Sequence, residues 1–283
     1  MLIIKSPDEL QKVLKEQKSK VKSLGFVPTM GALHQGHLSL VDCAKAENDF
    51  IAISIFINPI QFNNKKDFIL YPKNDEADIK MLEQAGVDLV FMPTADKMYR
   101  EEPRIKIDFG SLELVMEGKY RPGHFNGVAI VVAKLFNLFL PDKAYFGQKD
   151  LQQYLIIKQM VKDLSFPLEL KCCPVIRESD GLAMSSRNVR LSAQNRPLAA
   201  KLYESLTLAS SLLKKHDPES VKRQIKEFYQ KYEQIQLEYF EIADAETLMP
   251  VNDVKDHKGI AVCVAAYLDG VRLIDNVILD FSK

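Results

Sequence analysis

Residues 50–57, "FIAISIFI", are apolar except for Ser54 and are bounded by polar residues and a proline. The run has the length of a strand and falls well short of the roughly 18 apolar residues that span a bilayer. A strand wetted on one face alternates polar and apolar residues, whereas one that is apolar throughout must be covered on both faces. This stretch therefore predicts a sheet with helices on each side.

The flanking sequence repeats that design. "SPDE" (Ser6–Glu9) reads as an N-cap with Pro7 in the first helical position, predicting a helix from Pro7 to about Lys18. "LGFVPT" reads as a buried strand ending at Thr29, and "HLSLVDCAKAE" has helical periodicity. "NDEADIKMLEQAG" reads as a helix stopped at Gly86, "VDLVFMP" as a strand, and "FNGVAIVVAKLFNLFLP" as a long apolar helix stopped by Pro141. "KAYFG", "DLQQYLIIKQMVKDL" and "LELKCCPVI" continue as strand, helix and strand. The alternation predicts an α/β fold over residues 1–176, a Rossmann-like, doubly wound parallel sheet. Such sheets bind ligands beyond the carboxyl ends of their strands. From 177 to 283 the pattern changes to two amphipathic helices and then three strands, with Asp269–Gly270 as a type I′ hairpin signal. This predicts a smaller α+β domain that could act as a lid.

Lys+Arg and Asp+Glu are equal at 38 each, which argues against a general nucleic-acid binder. "MLIIKSPDEL" is too short in its apolar part for a secretory signal, and no stretch suits a membrane span. The four cysteines lack CxxC spacing. Together these features predict a cytoplasmic protein with reduced thiols.

Two of only five histidines, His34 and His37, flank Gly36 in the loop after the first buried strand. Placed at a helix N-terminus, where N–H groups and the helix dipole favour anions, paired imidazoles could donate to the oxygens of a polyphosphate. A capping histidine beside an exposed one is an equally good reading of the motif alone. A zinc site lacks further ligands at suitable spacing. "GLAMSSRNVRLS" offers the hydroxyls of Ser185 and Ser186 and the guanidinium of Arg187, suited to phosphate oxygens, or it is simply a polar loop.

"YFGQKDLQQ" places Lys149 at the mouth of a helix with Gln153 one turn on. Asn58 and Gln61, just past the apolar strand, are neutral hydrogen-bonders suited to hydroxyls and a carboxylate, or turn residues around Pro59. In "RPGHFNG", Arg121 and His124 precede a helix, where they suit an anion or, for His124, a cap. His216 and His257 read as surface residues.

Taken in order, "PTMGALHQGH", "FINPIQF", "YPKN", "RPGHFNGVA", "YFGQKDLQQ" and "DGLAMSSRN" resemble the pantoate–β-alanine ligase (pantothenate synthetase) family, within the HIGH/KMSKS nucleotidyl-transferring superfamily. The resemblance spans roughly residues 24 to 196. It implies ATP-dependent joining of pantoate and β-alanine through a pantoyl adenylate, with AMP and pyrophosphate released, in a homodimer that uses Mg²⁺. It further implies that Met30, Gly31, Ala32, Leu33, His34, Gln35, Gly36, His37, Gly147, Gln148, Lys149 and Asp150 bind ATP, with Ile176 contacting adenine through its backbone. Met184, Ser185, Ser186 and Arg187 would close over the phosphates. Among these, His34, His37, Lys149, Ser185, Ser186 and Arg187 are the implied catalytic set, and His37 is the position usually assigned as proton donor. Thr29, Asn58, Gln61, Arg121, His124 and Gln153 would serve the other substrates, with Gln61 and Gln153 holding pantoate. Metal ligands remain unassigned, because "NDEAD" offers Asp75, Glu76 and Asp78 without a clear register.

Two other functions fit parts of this pattern. A nucleotidyltransferase acting on a phosphorylated acceptor would need cations where the chain has Asn58, Gln61 and Gln153. A regulatory nucleotide binder would bind without turnover. The apolar "FIAISIFINPIQF" region could serve a dimer interface as readily as the core.

Overall fold

The computed structural model describes residues 1–281. In chain order the strands are β1 (Leu2–Ile4), β2 (Leu24–Thr29), β3 (Phe50–Ile55), β4 (Leu89–Phe91), β5 (Lys143–Gly147), β6 (Glu169–Cys173), β7 (Gln236–Asp244), β8 (Gly259–Leu268) and β9 (Val271–Asp280). The longer helices are α1 (Pro7–Lys18), α2 (Gln35–Glu47), α4 (Asp75–Gln84), α7 (His124–Phe139), α8 (Leu151–Asp163), α9 (Lys201–Leu212) and α10 (Pro218–Tyr229). Three short ones intervene: α3 (Lys65–Ile69), α5 (Ala95–Met98) and α6 (Met116–Tyr120). The chain forms two compact units. The first comprises Met1–Phe109, Arg121–Gln148 and Gln153–Pro174; the second comprises Gly110–Tyr120, Lys149–Gln152 and the chain from Val175 onward.

The first unit is built on a six-stranded sheet in the order β1-β4-β3-β2-β5-β6, with parallel pairing throughout. The winding runs outward from β2 to β3 and β4, then restarts on the other side of β2 with β5 and β6. The reversal therefore falls between β2 and β5, where open α/β sheets bind ligands. Successive residues of β3 explain its unbroken apolar run. Phe50 and Ala52 pack with Leu10 and Leu14 of α1 and with Val128 and Phe136 of α7. Ile51, Ile53 and Ile55 pack with Val41 and Ala44 of α2 and Leu82 of α4. All six β3 residues are buried, so this strand is core and is not available as an interface. At about 1.5–3 kcal/mol for each large side chain buried, it is a major stabilising element of the unit.

Local sequence accounts for several ends. Ser6 accepts from Glu9 N at 3.2 Å and Pro7 opens α1, as the sequence predicts. The edge strand β1 is a difference. Its three residues carry no alternation, and their pairing with β4 is a tertiary contact.

In the second unit β7, β8 and β9 form an antiparallel sheet. Asp269 (φ 53°) and Gly270 (φ 70°) both take the left-handed conformation of a type I′ turn, as the sequence predicts. Leu202, Leu206 and Ala209 of α9 and Val221, Ile225 and Phe228 of α10 meet alternate residues of β8 in one core. The first of the two amphipathic helices becomes regular only at Lys201; Arg196–Ala200 just before it, which includes Pro197, is a 3₁₀ turn.

Glu117 explains why residues 110–120 belong with the C-terminal sheet. Its buried carboxylate accepts from Arg272 Nη1 and Nη2 at 2.6 and 2.7 Å and from the Tyr239 hydroxyl at 2.8 Å. A buried carboxylate without such partners would be strongly destabilising. Gln152 completes the tie. It accepts from Glu117 N at 2.9 Å and donates to the carbonyls of Leu112 and Val115 at 2.7 and 2.9 Å.

Candidate active site

The histidine loop runs from the end of β2 into α2. His34 is the N-cap, in extended conformation, and its Nδ1 accepts from Gly36 N at 3.1 Å. His37 is the third helical residue, and its Nδ1 accepts from His34 N at 3.3 Å. The two imidazoles thus occupy the places that Ser and Glu hold in a capping box. A neutral imidazole carries one acceptor and one donor nitrogen. With both Nδ1 atoms accepting, each neutral ring holds its proton on Nε2. The rings lie 4.1 Å apart, and both residues are half-buried. The pair therefore caps the helix and carries two Nε2–H donors at the helix end that favours anions.

Gly31 (φ 82°) and Ala32 (φ 50°) turn this loop through the left-handed region, which costs a non-glycine residue about 1 kcal/mol or more. Asp78 of α4 holds the turn. Its Oδ2 accepts from Ala32 N and its Oδ1 from Leu33 N, both at 2.8 Å. Asp78 is 2% exposed. Burial pushes its carboxyl above the usual aspartate range, against the pull of the two amides. The N–H groups of Ala32 and Leu33 are thus engaged within the protein. Sequence reasoning saw Asp78 only as one acid among several in "NDEAD".

Gln61 closes the short 3₁₀ turn Pro59–Gln61 after β3. Its side chain accepts from Asn58 Nδ2 at 3.0 Å and donates to Met30 Sδ at 2.9 Å. Asn58 is fully buried. It also donates to Gly127 O at 3.1 Å and accepts from the Tyr99 hydroxyl at 2.9 Å, so its amide is occupied in holding Gln61. His124 is buried too, with Nδ1 2.8 Å from Gln61 O; it is the first residue of α7 and sets the Gln61 backbone. A Cβ at Gly127 would lie 2.4 Å from Ile60 O and 2.7 Å from Gln61 Cα. A glycine inside an otherwise apolar helix is the one sequence signal that could have revealed this contact. Thr29 turns its hydroxyl to Ser54 O at 2.7 Å. The carbonyl of Arg121 accepts from His124 N at 3.0 Å.

Gly147 ends β5, and a Cβ there would meet open space. Gln148 is half-buried beside it, and Gln153 is half-buried on α8. In the second unit, Lys149 and Asp150 approach within 3.9 Å.

The second unit also carries the serine loop. A hairpin pairs Arg177 with Ala183, and Met184 N donates to Ile176 O at 3.0 Å. Ser185 Oγ accepts from Arg187 N at 3.2 Å. Asn188, although next to Arg187, braces the loop by donating to Glu178 Oε1 at 2.8 Å and Ala183 O at 3.2 Å. Met184 to Arg187 are half-buried. Of the remaining histidines, His216 is exposed, and His257 is half-buried and bonded to Asp244 at 2.9 Å.

Among the described residues no group of three or more His, Cys, Asp or Glu could hold a metal ion, and all four cysteines are free. Among the same residues no helix is long and apolar enough to cross a membrane.

The family model for Pantoate-beta-alanine ligase matches residues 2–278. The chain belongs to the pantoate–β-alanine ligase family. The match runs beyond the 24–196 span of the motifs and takes in the C-terminal sheet. The pantothenate synthetase of Cytophaga hutchinsonii is 50% identical over 281 residues, covering 99% of both chains. That of Porphyromonas gingivalis is 45% identical, covering 98% of this chain and 99% of its own. The crystal structure of the Thermus thermophilus pantothenate synthetase superposes with a TM-score of 0.91 at 41% identity, covering 98% and 99%. The Francisella tularensis pantoate–β-alanine ligase, crystallised with "beta-gamma ATP" and β-alanine, gives 0.81 at 35% identity, covering 98% and 97%. The α/β sheet with its smaller antiparallel sheet is the fold of these ligases, and this chain is an enzyme of pantothenate biosynthesis.

Proposed function

We propose that this ligase activates pantoate with ATP and passes the resulting pantoyl adenylate to β-alanine. The pantoate carboxylate attacks the α-phosphorus, displacing pyrophosphate. The amine of β-alanine then attacks the acyl carbon, displacing AMP, forming the amide and losing a proton. The observation that carries this reading is the histidine pair, whose Nδ1 atoms both accept backbone N–H bonds and so hold the neutral rings' protons on Nε2. Donors in that position stabilise charge building on transferring phosphate oxygens, and the step needs no covalent nucleophile.

In this reading His34, His37, Lys149, Ser185, Ser186 and Arg187 contact ATP phosphates. Met30, Gly31, Gly36, Gly147 and Gln148 line the nucleotide; Gly147, with open space at its Cβ position, suits close approach. Gln61 and Gln153 hold pantoate as neutral donors and acceptors, which suit a hydroxy acid better than a phosphorylated acceptor. Asn58, His124 and Gly127 act through Gln61. The nucleotide-bound F. tularensis relative supports ATP as co-substrate. The described residues supply no preformed Mg²⁺ cage, and the buried carboxylate of Asp78 is engaged by two amides, so Mg²⁺ would enter on the nucleotide's own phosphates. We further propose a cytoplasmic homodimer in which residues 177–283 act as a lid. Sedimentation equilibrium tests the dimer, and a monomer at assay concentration would refute it. X-ray scattering with and without ATP and pantoate tests the lid, for which no compaction on binding is the adverse result.

The deciding experiment omits each reactant in turn while AMP and pyrophosphate are followed. Pantoate-dependent ATP–pyrophosphate exchange without β-alanine, with net AMP release only once β-alanine is added, is the expected pattern. ATP binding without pantoate-dependent exchange would refute the reading.

A further inference from the structure

One dipeptide of β9 braces two separate segments that the proposed reaction uses. Arg177 Nη1 donates to Asp275 Oδ2 at 2.5 Å, and Nη2 donates to Asp275 Oδ1 at 3.1 Å and to Asn276 O at 3.2 Å. The same guanidinium donates to Gly181 O at 3.1 Å and stacks 3.9 Å from the Tyr203 ring centroid. Gly181 (φ 90°) lies at the hairpin turn, where a Cβ would come within 2.4 Å of Tyr203 Cδ1. The hairpin that leads directly into Met184–Arg187 is therefore held on several sides. The next residue, Asn276, points its amide elsewhere: Nδ2 donates to Lys149 O at 2.9 Å. Asp275 and Asn276 are 2% and 3% exposed, and both are fixed by pairing with Val264 and Cys263 of β8.

We propose that Asp275 and Asn276 are positioning residues for the phosphate-binding groups of this ligase, Asp275 setting the serine loop through Arg177 and Asn276 setting Lys149 through its carbonyl. The proposal rests on the ATP reading above. Stability alone is a weak account of the arrangement. Replacing a buried ion pair with apolar residues is often neutral or stabilising, whereas a bidentate fork fixes geometry in a way apolar contact does not. A displacement of about 1 Å in a group aimed at a reacting phosphate can cost on the order of a hundredfold in rate.

The test uses the full chain and pantoate-dependent ATP–pyrophosphate exchange, with the Asn276→Ala and Asp275→Asn variants and the apolar double replacement Arg177→Met/Asp275→Leu. For each single variant we expect exchange to fall roughly ten- to a hundredfold, with KM for ATP raised and KM for pantoate unchanged. The double replacement should unfold at or above the native temperature and remain slow. Exchange within twofold of native in Asn276→Ala and Asp275→Asn, or native exchange in the double replacement, would overturn the proposal. So would an equal rise in both KM values, which marks general loosening. A native protein that shows no exchange removes the ligase mechanism and this proposal with it. Native exchange with unaffected variants removes only the proposal.

Discussion

The histidine loop and the serine loop present similar chemistry but are held in different ways. The first braces itself: the imidazoles of His34 and His37 accept from Gly36 N and His34 N within four residues, and one distant carboxylate, Asp78, completes the turn. The second makes local bonds too, but its main brace is Arg177 on Asp275, 98 residues further along the chain. A self-capped loop keeps its shape wherever a helix follows it. A loop braced from another strand keeps its shape only while that strand is in register. The first arrangement suits fixed donors, and the second ties the shape of the serine loop to the folding of the whole C-terminal unit.

The comparison is broken most directly at His37. Its replacement by Ala removes an Nε2 donor and the cap on His34 N together. We expect kcat for pantoate-dependent exchange to fall about 10²–10³-fold, as for loss of a single preorganised donor, with a stability loss of about 1 kcal/mol for the cap. Exchange kinetics and a denaturant melt on the same sample separate the two effects. A rate within threefold of native would reduce the pair to a helix cap.

Gly127→Ala tests positioning within the first unit by a different route. The added methyl collides with Ile60 O and Gln61 Cα, so α7 or the Gln61 turn must shift. Overpacking of this kind costs about 1–3 kcal/mol. KM for pantoate should rise several-fold while KM for ATP stays near native, the reverse of the split expected for Asn276→Ala. A rise in KM for ATP alone would remove Gln61 from the pantoate site.

What could be read from the sequence follows the same division. The parallel sheet was legible because β3 is apolar on both faces and Gly, Pro and Ser punctuate its neighbours. His34 and His37 stood out because their spacing is itself the structure. By contrast, Asp78, Tyr99, Asp275 and Asn276 act through partners 40 or more residues away, and none stands out in its local sequence. The assignment of residues 110–120 and 149–152 to the C-terminal unit was hidden for the same reason. It depends on Glu117 meeting Arg272, 155 positions later.

The smallest predicted effect separates the two loops by the sign of a pH slope. Burial raises the carboxyl pKa of Asp78 above 3.8, so the folded state holds that proton more tightly than the unfolded chain. Native stability therefore falls as pH rises from 3.8 through the shifted value, and Asp78→Asn, which cannot ionise, escapes that fall. Relative to native, this variant should gain stability as pH rises toward neutrality, whatever constant offset its altered hydrogen bonding adds. Asp180 in the serine-loop hairpin behaves oppositely. The hydrogen bond from Arg196 lowers its pKa below 3.8. Its stabilisation is fully present above 3.8 and is lost as pH falls through the lowered value, so the deficit of Asp180→Asn should be largest near neutrality and should close in acid. The Asp180 side chain is 36% exposed, so solvent screening makes its slope shallow. Denaturant unfolding of both variants against native across this range gives two difference curves. Slopes of opposite sign support carboxylates in opposed environments, one paying for burial and one stabilised by a cation. Slopes of the same sign would mean that the N–H groups of Ala32 and Leu33 outweigh the burial of Asp78 and hold its carboxylate ionised.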